Sequence, residues 1–100
     1  MIKLIALYKH PENKEAFMDY YINTHIPLVH KIPGLAKVEV RQITDTFIPG
    51  ADTFFLMAEM SFPDRETFDK ALRSPEQKAA GKDVQNFAAG LVSLMVADEL

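Results

Sequence analysis

Residues 17–34 read FMDYYINTHIPLVHKIPG. Phe17, Tyr20, Tyr21, Thr24, His25, Leu28 and Ile32 recur at steps of three and four, the spacing of one helical face, while Asp19 and Asn23 fall on the other side. The stretch predicts an amphipathic helix that aims His25 at whatever the helix covers. Pro27 has no N–H to return to the carbonyl of Asn23, and it disfavours the helical region at Ile26. A kink or break is therefore expected at 25–27, then a short helical piece from Pro27 to Lys31. Pro33-Gly34 ends it.

Upstream, residues 2–9 read as a strand that is apolar on both faces, as a strand covered on both sides requires. His10-Pro11 breaks it. Asn13 is a candidate N-cap, with Glu12 and Glu15 at the positive end of the helix dipole. Downstream, residues 35–43 form a second strand, with Ala36, Val38 and Val40 opposite Lys37, Glu39 and Arg41. Residues 44–52, with Pro49-Gly50, make a loop too long for a tight hairpin. Residues 53–62 give a third strand, with Phe54, Leu56, Ala58, Met60 and Phe62 on one face. Asp64 caps a helix that turns Phe68, Ala71 and Leu72 inward. Ser74-Pro75-Glu76-Gln77 is a second start signal, so this region is two helices, or one strongly kinked, over 64–73 and 75–88. Val84 and Phe87 return to the core, Gly90 ends the helix, and residues 91–97 are the last strand.

The order β-α-β-β-α-β within 100 residues predicts one α+β domain over 1–100. Its form is ferredoxin-like, a four-stranded antiparallel sheet with both helical regions on one face. The other sheet face would be bare and apolar in a monomer. It is expected to pair with the same face of a second copy, giving a homodimeric α/β barrel. Glu39, Arg41 and Glu59 fall on that face and read as an ion-pair cluster fixing register.

Composition excludes several classes of function. The net charge is −3, and no basic stripe could neutralise phosphates, so nucleic acid is not an expected partner. Cysteine is absent, which removes disulfides and thiolate chemistry and fits a reducing cytoplasm. MIKLIALYKH lacks a signal-peptide cleavage site, and no apolar run reaches the roughly 20 residues that span a bilayer. A cytoplasmic protein without a membrane partner is expected.

His25 is the leading candidate for chemistry, as a base when neutral or as a partner of a developing enolate when charged. Tyr21, one turn earlier, and Tyr8, at the end of the first strand, can each donate a hydrogen bond to an oxyanion. Alternatively, His25 caps the broken helix by bonding a carbonyl freed near Pro27. His10 and His30 read as solvated. No histidine has metal-ligand spacing, and there is no Gly-rich phosphate loop and no serine in an elbow context. Phe17, Phe54, Phe62 and Phe87 are either core or the wall of a pocket for a small apolar ligand.

The pieces IKLIALYKHP, AFMDYYINTHIPLVHKIPGLAKVEV, FFLMAEMSFPDRETFDKAL and SPEQKAAGKDVQNFAAGLVSLMVADE together cover essentially the whole chain. On these, the chain resembles the EthD family, named from ethyl tert-butyl ether degradation, within the dimeric α/β-barrel superfamily. H-x-P-L followed by K-I-P-G-L is the most specific piece. It is also similar to the methylmuconolactone isomerase relatives, which share the helix histidine before a P-G-L turn. The resemblance implies a ferredoxin-like homodimer with a cleft between helices and sheet. In related barrels that cleft hosts cofactor-free isomerisation, cyclisation or oxidation, and in others it binds haem. The family histidine falls on His25, which would also be the axial ligand if haem were bound. The expected activity is proton transfer on a small apolar carbonyl, lactone or phenolic compound without a cofactor. The alternative is a non-catalytic carrier in an oxidative degradation pathway.

Overall fold

A computed structural model describes residues 1–48 and 54–100. The Pro49-Gly50 turn and Thr53, the expected start of the third strand, lie outside the described residues. Strand β1 (Ile2–Lys9) leads through Asn13, whose side chain accepts from the Ala16 N–H, into helix α1 (Lys14–Tyr20). Helix α1 passes through a widened turn, Tyr21–His25, into the short helix α2 (Ile26–Val29). Strands β2 (Lys37–Gln42) and β3 (Phe54–Phe62) follow, then helices α3 (Arg65–Leu72) and α4 (Pro75–Ala88), then strand β4 (Val92–Asp98). Asp64 and Ser74 cap α3 and α4 by accepting from the N–H groups of Thr67 and Gln77, 2.8 and 3.1 Å away. The second helical region is thus two helices. Leu72, expected inward, is 43% exposed at the end of α3.

The break expected at 25–27 takes another form. Ile26 stays helical at φ −59°, ψ −40°. The preceding turn opens to π geometry instead, and the Ile26 N–H reaches back five residues to the Tyr21 carbonyl. An α-helix would have set the Pro27 ring against the carbonyl of Asn23. The extra residue in the turn absorbs that conflict without ending the helix. Tyr21 and His25, at the two ends of this turn, are both buried.

The four strands form an antiparallel sheet in the order β2-β3-β1-β4, the ferredoxin-like arrangement of the α+β class. On β1 the alternation is strict. Ile2, Leu4, Ala6 and Tyr8 are buried, and opposite them on β3 lie Phe62, Met60, Ala58 and Leu56, also buried. Helices cover this face: Phe68 of α3 meets Phe62 edge-on at 5.2 Å. Burying one such ring is worth about 1.5–3 kcal/mol.

The opposite sheet face bears Ile5, Leu7, Met57 and Met95, with an ion-pair cluster beside them. Glu59 receives Lys3 at 2.8 Å and Arg41 at 3.3 Å, and Glu39 receives Arg41 at 2.7 Å. These pairs are partly exposed and screened by solvent, so each adds little to stability. Their effect is on the alignment of β1, β3 and β2 rather than on bulk stability.

Gly34 closes the turn that follows α2. Its φ of +79° lies in the left-handed region, and a Cβ there would run into Thr67 Cγ2 of α3. The Pro-Gly turn is therefore one place where the first helical region closely approaches the second.

Candidate active site

The π turn and α2 pack against α4. That contact brings Asp83, on α4, to His25. Nδ1 of His25 lies 3.0 Å from Asp83 Oδ2. The other carboxylate oxygen, Oδ1, accepts from the Tyr20 hydroxyl at 2.6 Å, and the Tyr20 oxygen accepts from Asn86 Nδ2 at 3.3 Å. His25 is 4% exposed. Its ring centroid lies 4.8 Å from that of Phe87 and 5.6 Å from that of Tyr21. It bonds a carboxylate, not a carbonyl of the broken helix.

An ionised carboxylate only accepts, so the His25–Asp83 contact places the imidazole proton on Nδ1 and the lone pair on Nε2. No buried side-chain nitrogen or oxygen among the described residues lacks a partner. Nδ1 alone of the two ring nitrogens is bonded to a protein group, so Nε2 reaches solvent. It does so through a cleft between sheet and helices lined by His25, Tyr8, Leu4, Met60, Val84 and Leu94, with Gly81 at its edge. A Cβ at Gly81 would meet nothing within 4 Å.

The cleft holds about 30 Å³. One water needs at least about 10–15 Å³ on this measure, so there is room for a couple of waters or the tip of a ligand. A larger ligand must part α2 from α4 or extend over Leu94, which is 51% exposed. The cleft does not fit a haem as it stands. No group of three or more His, Asp or Glu among the described residues is placed to hold a metal ion.

Burial pushes the His25 pKa below its usual value, and Asp83 opposes the shift. The ring is thus neutral near pH 7, as a base must be. Below about pH 6.5 the unfolded chain gains a proton on this histidine that the folded chain refuses. Stability from His25 is complete above that pH and is lost as pH falls through the folded-state pKa. Urea midpoints should drop between pH 7.5 and 5.5, and the drop should be smaller in His25→Gln.

Of the other expected site residues, Tyr8 lines the cleft, and burial pushes its hydroxyl up to about 12. It is therefore a protonated donor. Tyr21 stands behind it, with 5.4 Å between ring centroids. Phe17 and Phe87 join these rings, 5.3 Å apart. Phe62 packs on Phe68 and is not among the residues lining the cleft. Phe54 lies opposite Lys9, where the β1–β3 register slips. That bulge turns Phe55 inward, 2% exposed and 5.4 Å from Phe17. Asp83, Tyr20 and Asn86 are functional candidates that sequence reasoning missed. The available signal was the four-residue step from Asp83 to Phe87, which sets the carboxylate beside a core residue.

The EthD domain pattern matches residues 9–90. An 11.0 kDa protein encoded between thcB and thcC in Rhodococcus erythropolis is 30% identical over 99% of this chain and 95% of its own. The crystal structure of an EthD family protein from Bacillus halodurans superposes with a TM-score of 0.92 at 47% identity, covering 100% of this chain and 99% of that one. Two more distant neighbours share the fold alone. A dimeric ferredoxin-like protein from Jannaschia has a TM-score of 0.71 at 15% identity, covering 99% and 100% of the two chains. SnoaB, a cofactor-independent oxygenase from Streptomyces nogalater, has a TM-score of 0.65 at 11% identity, covering 98% and 91%. With the family pattern spanning most of its length and a solved member matching it end to end, this chain belongs to the EthD family.

Proposed function

We propose that the protein moves a proton on a small, uncharged, largely apolar compound, a carbonyl, lactone or phenol, without a cofactor. The observation that carries this reading is the His25–Asp83 pair at 3.0 Å with the far ring nitrogen open to an apolar cleft. Nε2 takes a proton from a C–H or O–H of the substrate, and the electron pair left behind moves onto the substrate oxygen. The imidazolium so formed is stabilised by Asp83. The Tyr8 hydroxyl donates to the oxyanion. Returning the proton to a different atom completes an isomerisation.

The apolar lining supports an uncharged substrate. Among the described residues no Lys or Arg lines the cleft, and an anion placed there would face Asp83 behind His25 with no such cation to offset it. The fold neighbour SnoaB, described as a cofactor-independent oxygenase, supports the view that this fold can host chemistry without a cofactor. The half-covered Ile5, Leu7 and Met57 on the open sheet face, and the dimeric Jannaschia neighbour, support a homodimer through that face.

Solvent exchange tests the chemistry without knowledge of the product. In deuterium oxide, the protein is incubated with small ketones, lactones and phenols, and loss of carbon-bound protons is followed by NMR. Exchange above the buffer rate on at least one compound, abolished in His25→Ala, is the expected result. Saturable binding with no exchange would point to a carrier, and equal exchange in His25→Ala would end the role given to His25.

A further inference from the structure

The carboxylate that orients His25 is itself held. Asp83 presents one oxygen to His25 and the other to Tyr20, and the Tyr20 contact, at 2.6 Å, is the shorter. Tyr20 is fixed in turn by Asn86 and by its ring, 5.1 Å from that of Phe87. We propose that Tyr20 is a positioning residue: its hydroxyl, steadied by Asn86, locks the Asp83 carboxylate in the one orientation that keeps the His25 proton on Nδ1 and Nε2 free for substrate. The inference rests on the role given to His25 above.

The physical ground is the freedom a lone carboxylate would have. Asp83 sits on the rim of the helix pair, its side chain 11% exposed. With only His25 as a protein partner it could rotate toward water. A charge-assisted hydrogen bond from a phenol removes that freedom and is among the stronger side-chain contacts. It also draws charge away from Oδ2, so the Tyr20 contact weakens the field that Asp83 exerts on the imidazole. The other titratable group facing His25 from β1 is Tyr8. Tyr20 and Tyr21 face it from its own element, and Asp83 does so from α4; Met60 represents β3 in the cleft lining.

Tyr20→Phe keeps the ring and its packing but removes the hydroxyl. The test uses full-length protein labelled with ¹⁵N at histidine. It reads the His25 Nδ1–H resonance at pH 7 and the pH midpoint of the His25 ring. In Tyr20→Phe the Nδ1–H signal should broaden by faster exchange with water, and the midpoint should rise by about half a pH unit as charge returns to Oδ2. Asn86→Ala should shift both in the same direction by less, and it serves if Tyr20→Phe does not fold. A merely structural Tyr20 would lower the melting temperature and leave the resonance and midpoint at their wild-type values, which would overturn the inference. Exchange catalysis that depends on His25, together with unchanged spectra in both variants, would sink the Tyr20 role alone. Intact spectral effects with no catalysis on any compound would sink the enzymatic reading alone.

Discussion

Asp83→Asn is expected to lower the proposed rate of solvent exchange by about 10²–10⁴-fold while leaving the protein folded. The carboxamide matches the carboxylate in shape, so packing against α2 survives. Its chemistry differs at one atom. Tyr20 donates to the Oδ1 position at 2.6 Å, and that contact selects the amide oxygen there. The amide nitrogen then faces Nδ1 of His25 and donates to it. Nδ1 must accept, so the imidazole proton moves to Nε2 and points into the cleft. The base is still present but carries its proton on the wrong side. Rates measured by NMR in deuterium oxide check this, with circular dichroism as the control for folding. A loss of less than about threefold would mean that Asp83 does not set the tautomer.

Gly34→Ala has the largest expected effect on stability. Two costs add. An L-residue at φ +79° gives up about 1–2 kcal/mol. The new methyl also meets Thr67 Cγ2, and forcing an atom into a packed contact costs about 1–3 kcal/mol. The sum, about 2–5 kcal/mol, corresponds to a fall in Tm of at least about 8 °C for a domain of this size. Calorimetry on the two proteins decides it. A change under about 2 °C would show that the turn and α3 can shift apart freely. In that case the approach of Gly34 to Thr67 would not be a tight one.

Much of the fold could be read from local signals. The caps at Asn13, Asp64 and Ser74 fall where side-chain chemistry puts them, because each needs only a bond to the backbone three residues on. The buried face of β1 follows from alternation alone. The boundary signals at Pro27 identified a conflict but not its resolution, since a proline can be met by a break, a kink or a widened turn. Phe55 was missed for a similar reason. A bulge shifts the alternation by one, and nothing in FFLMAEMSF marks where the extra residue goes.

The candidate site divides in the same way. His25, Tyr21 and Phe17 share one helical face, so their neighbourhood is local in sequence and legible there. Asp83 is 58 residues from His25. Between Lys82 and Val84 it reads as one charge among several on the outer side of a helix. Only the packing of α2 and the π turn on α4 makes it the partner of His25, and that packing is decided by the sheet topology, not by the helix. Tyr20 was placed on the correct face, but its hydroxyl had no role to play until Asp83 was beside it.

The protonation state of the His25 ring is tested most directly by long-range ¹H–¹⁵N correlation in the wild-type protein at pH 7. The structure predicts a neutral imidazole with the proton on Nδ1 and an unprotonated Nε2. A proton on Nε2, or a doubly protonated ring at that pH, would contradict it and leave the cleft without its base.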